Sequence, residues 1–276
     1  MYHRGWVEIA DQIFIRTIED MQVNVGLVVS DSACLVIDTG PSLAAGRELA
    51  DAVRSITRAP WSIVNTHAHV DHVLGNAAFG RTTVWGQQRS REHLARPLDT
   101  QWTRIGMPRT VPDLLGERVM PPDQHVHESK SLRVGGRTVE LLHPGRGHTD
   151  HDLVVSVVDA GVVFAGDLVK GDGVPWMGDS FPLEWPGALE ALADLSAGIV
   201  IPGHGPPLCR TDVVAQQQVM ESVAATASAS FRFGASVEAA AAELPLPAPT
   251  ALVAAARVYR QLNGRRKPLA GSVQGR

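Results

Sequence analysis

The stretch Trp61-Ser62-Ile63-Val64-Asn65-Thr66-His67-Ala68-His69-Val70-Asp71-His72 carries the densest chemistry in the chain. A short apolar strand, Trp61 to Val64, runs directly into three imidazoles and one carboxylate. In an extended segment residues two apart point the same way, so His67 and His69 can face one ion together. Asp71 and His72 are adjacent, point differently, and can serve a second ion nearby. Imidazole nitrogen and carboxylate oxygen are the usual ligands of zinc, and imidazole also suits iron. A polar turn would account for one such histidine; four ligand-type residues at this spacing point to metal.

Outward from this cluster, three further positions share one pattern, a polar residue beside glycine at the end of an apolar strand. They are His148 in Gly145-Arg146-Gly147-His148-Thr149-Asp150, Asp167 in Phe164-Ala165-Gly166-Asp167, and His204 in Ile201-Pro202-Gly203-His204-Gly205. Functional groups gather at strand ends on rigid scaffolds, and glycine lets the backbone approach an ion or substrate.

The surrounding pattern is mixed. Ile13–Ile15, Val23–Val29 (broken by Gly26) and Cys34–Ile37 read as strands bounded by turn residues. Leu43, Leu49, Ala52, Val53 and Ile56 give residues 43–56 an amphipathic helical period. A short strand and a helix near Gln88 to Arg96 precede a long loop that reads as a lid, with Trp102 and Arg104 as its candidate substrate contacts. Strands return at 132–134, 138–142, 153–158 and 162–165, the first two joined at Gly135-Gly136. A helix at 186–195 and a strand at 199–201 follow. Beyond Cys209 the chain is Ala-rich and helical, broken once at Leu244-Pro245-Leu246-Pro247. The elements fall into two batches, each β-rich and then helical, which implies two stacked αβ halves with their sheets facing. Residues 1–210 read as the catalytic domain, and 211–276 as a helical extension packed on it or continuing it. Val213, Val214, Met220 and Val223 suit either a cap on the sandwich or a homodimer face.

The ordered set of motifs resembles the metallo-β-lactamase-fold superfamily of metallo-hydrolases, from about Ile13 to His204. The resemblance implies an α/β fold, a four-layer αβ/βα sandwich with a dinuclear site along one edge of the paired sheets. It implies that His67, His69 and His148 hold one metal, that Asp71, His72 and His204 hold the other, and that Asp167 bridges them. Asp38, in Val36-Ile37-Asp38-Thr39-Gly40, matches the family's early aspartate that supports the ligand loop. The implied cofactor is two Zn²⁺, with Fe or Mn as substitutes, and the implied catalytic residues are Asp71, His204 and Asp167. Metal-activated water needs no Ser or Cys nucleophile, and no G-x-S-x-G, Walker-type or H-E-x-x-H motif is present.

Departures from family members narrow the substrate. True β-lactamases of the family usually carry Cys or Ser where this chain has Asp167, and an aspartate there resembles lactonases, glyoxalase II enzymes and phosphodiesterases. The tyrosine that quorum-quenching lactonases often place after the bridging aspartate is absent from Leu168-Val169-Lys170, and no basic glutathione-binding region follows. The leading expectation is a dinuclear zinc hydrolase of a lactone or thioester, with β-lactams and phosphodiesters behind. A mononuclear iron persulfide dioxygenase using His67, His148 and Asp167 is the alternative, and a non-catalytic binding member of the fold the second alternative. Lys170, Trp176 and His151 are the candidate substrate contacts or supporting groups, whereas His93, His125, His127 and His143 lack a spacing partner and read as surface or structural.

Composition bounds the rest. The 276 residues include 25 Lys and Arg against 29 Asp and Glu, a net charge of −4, and 44% are apolar. This is a globular composition without the basic footprint of a nucleic-acid binder. Arg265-Arg266-Lys267 reads as a solvated tail. No apolar run reaches the roughly 18 residues of a membrane span, and the N-terminus lacks the apolar stretch of a secretory signal. Cys34 and Cys209 cannot frame a disulfide network and read as small core residues. The expected setting is a reducing cytoplasm and the expected partner a small-molecule substrate, with neither nucleic acid nor membrane.

Overall fold

The computed structural model describes residues 5–95, 119–196 and 198–266. Trp102 and Arg104 of the expected lid lie outside the described residues, as does Lys267.

Seven strands form the first sheet in chain order: β1 (Val7–Ala10), β2 (Ile13–Ile18), β3 (Val23–Val29), β4 (Cys34–Ile37), β5 (Trp61–Val64), β6 (Val84–Gln87) and β7 (Gln124–Val126). β1 to β4 pair antiparallel, and β4 to β7 parallel. The second sheet runs β12-β11-β10-β9-β8, from β8 (Ser129–Val134), β9 (Arg137–Leu142), β10 (Val154–Val157), β11 (Val162–Gly166) and β12 (Ile199–Pro202). The parallel β11–β12 pair needs a crossover, supplied by helix α4 (Trp185–Leu195). Helices α1 (Leu43–Ile56), α2 (Val70–Val73) and α3 (Gln88–Leu94) accompany the first sheet, and α5 (Arg210–Arg232), α6 (Val237–Ala242) and α7 (Ala248–Arg266) follow the second.

Burial sorts these elements into four layers. Val28, Leu35, Ile37 and Val64 of the first sheet meet Val139, Leu141, Val155 and Phe164 of the second in a shared core. The outer face of the first sheet, with Val25, Leu27, Val36 and Ile63, takes Leu49, Ala52 and Val53 of α1. The outer face of the second, with Val154, Val163 and Val200, takes Leu189 and Leu192 of α4 together with α5–α7. The expected αβ/βα sandwich is therefore what the chain builds.

Local chemistry explains the element ends. Ser42 caps α1 by accepting from Ala45 N–H at 3.0 Å, which satisfies one otherwise unpaired donor. Gly26 does not break β3, contrary to expectation. It sits inside a continuous strand because the sheets approach there: a Cβ at Gly26 would lie 2.4 Å from Cε1 of Phe164. The C-terminal helices are interrupted twice rather than once. Gly234, at φ +75, ends α5 two residues past its last turn, and the Pro-containing segment near 245 separates α6 from α7.

Val213, Met220 and Val223 of α5 are buried in this chain's own core, with Val214 packed against it, so these positions cap the sandwich. Cys34 is buried as expected, and burial pushes its thiol up to about 11. Cys209 is not a core residue. It is exposed at the N-cap of α5, where its backbone N–H donates to Asp212 Oδ2 at 2.8 Å. The Pro-rich approach resembled a buried turn, but the cap position needs solvent-side geometry. Among the described residues no helix is long and apolar enough to cross a membrane.

Gly26→Ala should lower stability by about 1–3 kcal/mol through overpacking against Phe164. Gly26→Ala combined with Phe164→Leu should recover part of it, read as the shift in denaturant midpoint. Equal midpoints for Gly26→Ala and the parent chain would refute the close contact.

Candidate metal centre

The site forms at one edge of the sandwich, where strand ends from both sheets meet. β5 delivers Thr66 to His69, and α2 begins at once and carries Asp71 and His72 inward. His148 comes from the loop after β9, Asp167 from the end of β11 and His204 from the end of β12. The sheets are stitched together here. Asn24 N–H donates to Gly203 O at 2.7 Å, and Asn24 Nδ2 donates to Pro202 O at 2.9 Å and Gly205 O at 2.8 Å.

Asp38 organises the ligand loop from behind. Its Oδ1 accepts from Thr66 N–H at 2.8 Å and its Oδ2 from the Thr66 hydroxyl at 2.7 Å, and Oδ2 also lies 2.8 Å from His72 Nδ1. Asp38 holds φ at +59, a left-handed conformation that aspartate tolerates better than most residues. The carboxylate fixes the His72 ring and turns Nε2 toward Asp71 and Asp167, the arrangement common behind metal-bound histidine.

All seven expected residues converge, in two groups. His67, His69, His148 and Asp167 each offer a ligand atom within 4.8 Å of the others, and Asp71, His72 and His204 do the same. His69 Nδ1 lies 3.0 Å from His148 Nε2. Asp167 stands between the groups: Oδ1 is 3.4 Å from His72 Nε2, and Oδ2 is 3.6 Å from His148 Nε2 and 3.5 Å from His204 Nε2. Gly203 makes that position accessible, since a Cβ there would fall 1.9 Å from Asp167 Oδ1.

The electrostatics are those of a donor set poised around positive charge. Burial, then the neighbouring His72 and His69, hold His67 well below the usual histidine range. Burial opposes charge on His72, but the Asp71, Asp38 and Asp167 carboxylates outweigh it and raise the imidazole well above that range. His204 is pushed up to about 10: burial works against it, and its contacts with Asp167 and Asp71 prevail. Three buried atoms in the site, His67 Nε2, His72 Nε2 and Asp167 Oδ1, have no hydrogen-bond partner among the described residues. Such atoms in the interior cost about 1–3 kcal/mol each unless something engages them, and their donor chemistry fits a divalent metal ion.

The model matching residues 18–204 is that of the metallo-beta-lactamase superfamily. The chain belongs to that superfamily. It is 28% identical over 186 residues to the Beta-lactamase-like protein 2 homolog of Drosophila melanogaster, covering 66% of this chain and 58% of the fly protein. It is 27% identical over 205 residues to the probable metallo-hydrolase YqgX of Bacillus subtilis, covering 71% and 90%. In structure it resembles the sec-alkylsulfatase Pisa1 from a Pseudomonas species, with a TM-score of 0.73 at 17% identity over 93% of this chain and 50% of that one. That superposition is evidence of fold alone, and it extends past the region matched by the family model.

Of the remaining candidates, Lys170 and Trp176 line a cleft of about 210 Å³ beside His69, Asp71, Asp167 and His204, with Met21, Val70 and Val169 as its apolar wall. The Trp176 carbonyl lies 3.3 Å from His148 Nδ1. His151 is buried, but its Nδ1 pairs with Asp150 Oδ1 at 2.8 Å and not with the seven residues. His93 is not the unpartnered surface group its spacing suggested. Its ring packs 4.6 Å from that of His151, and its Nε2 is 3.6 Å from Asp179 Oδ2.

Asp179 itself escaped sequence reasoning. It lies 3.2 Å from His69 Nε2 and so supports that ring from the side opposite His148. Its loop is clamped from α7, where Arg257 donates to the carbonyls of Asp179 and Ser180, the latter at 2.6 Å. Asp179 in Gly178-Asp179-Ser180 resembles any turn aspartate, and no local spacing links it to position 69 or 257.

Asp38→Ala should destabilise the chain by about 3–5 kcal/mol, since it strips a buried charge from the groups it serves. Thr66→Val should cost less, about 1 kcal/mol for each of the two contacts its hydroxyl makes, with Asp38 Oδ2 at 2.7 Å and His67 Nδ1 at 3.2 Å. Denaturant unfolding of both variants checks the ranking, and the reverse order would contradict Asp38 as the organising group.

Proposed function

We propose that the protein is a dinuclear zinc-dependent hydrolase of a small ester-like substrate, a lactone or thioester before a β-lactam or phosphodiester. The observation that carries this reading is the convergence of seven donors in two groups with Asp167 between them. On this reading His67, His69 and His148 would hold one ion and Asp71, His72 and His204 the other, with Asp167 placed to serve both. The ions, when bound, supply Lewis-acid polarisation of the scissile group and acidify water near neutral pH.

The chain's own groups do the rest. Asp71 lines the cleft, with Oδ2 3.1 Å from His204 Nε2. Its carboxylate orients the attacking water and carries a proton toward the leaving oxygen or sulfur. Lys170 supplies the one ammonium among the described residues that line the cleft, suited to an acyl oxygen or a substrate carboxylate. Trp176, Val70, Val169 and Met21 pack the apolar portion of a small substrate and exclude water around it. Held from behind by Asp38 and Asp179, His72 and His69 need little reorganisation on binding, which is how supporting carboxylates raise affinity and rate. The cleft's size suits one small molecule, and the composition lacks the basic surface that an RNA phosphodiesterase needs.

Elemental analysis of chain purified without added metal should find about two zinc ions, followed by hydrolysis in a panel of lactones, thioesters and β-lactams. His69→Ala and Asp71→Ala should each abolish turnover by orders of magnitude, with circular dichroism unchanged. A single iron with oxygen uptake in place of hydrolysis would refute the proposal in favour of the dioxygenase. Asp167→Asn should lower the metal count most among single variants, and an unchanged count would remove its bridging role.

A further inference from the structure

Beyond the seven residues, a third group of metal-ligating side chains gathers where α3 meets the loop after β9. One ring nitrogen each from His93 and His151 and a carboxylate oxygen of Asp150 lie within 4.8 Å of one another. His151 is wholly buried. Its Nδ1 is held by Asp150 Oδ1 at 2.8 Å, and its buried Nε2 has no hydrogen-bond partner among the described residues. His72 shows the same arrangement, with Nδ1 2.8 Å from Asp38 and Nε2 buried without a hydrogen bond. At His151 the carboxylate favours the tautomer with the proton on Nδ1 and leaves the lone pair on the buried Nε2; at His72 the Nε2 faces Asp71 and Asp167 at 3.4 Å instead.

The surroundings of His151 separate an ion site from a stray unsatisfied nitrogen. The His93 ring lies 4.6 Å away, tilted by 43°. Burial and the neighbouring His151 hold His93 down to about 4, so its lone pair is available at neutral pH. Asp150 is about one-third exposed and opens the group to solvent. Arg89 reaches the Asp150 main-chain carbonyl at 3.2 Å and leaves the carboxylate to the histidines. Two imidazoles, one of them braced by a carboxylate, select a borderline transition ion over magnesium or calcium, which prefer oxygen.

We propose that His93 and His151, with Asp150 bracing the His151 ring from its Nδ1 side, form a third metal site, separate from the seven-residue centre, that takes a zinc-like divalent ion. Asp179 connects the two, with Oδ1 3.2 Å from His69 Nε2 and Oδ2 3.6 Å from His93 Nε2. Occupancy of the third site thus bears on the carboxylate that orients His69.

The test uses the full chain, stripped with chelator and titrated with zinc, with bound metal counted after gel filtration. The parent chain should hold one more equivalent than either His93→Gln or His151→Asn. His93 is only partly buried, so His93→Gln remains informative if the buried His151→Asn fails to fold. A count in His93→Gln equal to that of the parent overturns the proposal. In an Asp71→Ala/Asp167→Ala background, an equivalent that His93→Gln removes supports the third site, and a count that His93→Gln leaves unchanged overturns it. A parent chain with a single ion, kept in that background and lost with His93→Gln, would uphold this site while refuting the dinuclear reading.

Discussion

The carboxylate of Asp38 is the interaction on which the site depends. It sits at the exit of β4, where the chain turns through a left-handed conformation, and it accepts from both the backbone and the hydroxyl of Thr66 while holding His72. These contacts set the path of residues 66–72, and that path decides which imidazole nitrogens face inward. The sheets supply the frame for this. β4 and β5 are adjacent and parallel, so both strands end at the same edge, and Asp38 and Thr66 are brought together by register alone.

That frame explains how a buried group of histidines and aspartates persists. A cluster of one sign would expel itself from the interior. Here imidazoles and carboxylates alternate in space, with Asp71 and Asp167 drawn well below the usual carboxylate range: burial pushes them up, and His72 with His204 more than reverses it. Within that balance His67 Nε2, His72 Nε2 and Asp167 Oδ1 make no hydrogen bond among the described residues, and their donor chemistry suits a divalent cation.

The legible part of this molecule was the part encoded locally. His67, His69, Asp71 and His72 lie within one short stretch, and His148, Asp167 and His204 each follow a strand beside glycine, so their convergence could be anticipated from element ends. The α1 period and most strands were equally plain, because burial on one face or both leaves a pattern a few residues long. What stayed hidden depends on distance along the chain. Asp179 meets His69 across 110 residues, and His93 meets His151 through folding alone. Gly26 looked like an interruption because its reason, the Phe164 ring, sits in the other sheet. Cys209 misled because a helix cap and a buried turn share the same small and proline residues.

The clamp of Arg257 on residues 179 and 180 gives the C-terminal helices a standing that their sequence does not suggest. Gln261 adds to it, accepting from Leu183 N–H at 3.2 Å and donating to Glu184 at 2.8 Å. The segment that carries Trp176 and Asp179 is thus fastened to α7 on one side and to the histidines on the other. A recombinant chimera that grafted foreign helices after β12 would inherit every candidate ligand of the seven and still present a different wall to the cleft. For divergence within such a scaffold, drift in the last helix is a route to altered selectivity that leaves the donor atoms untouched.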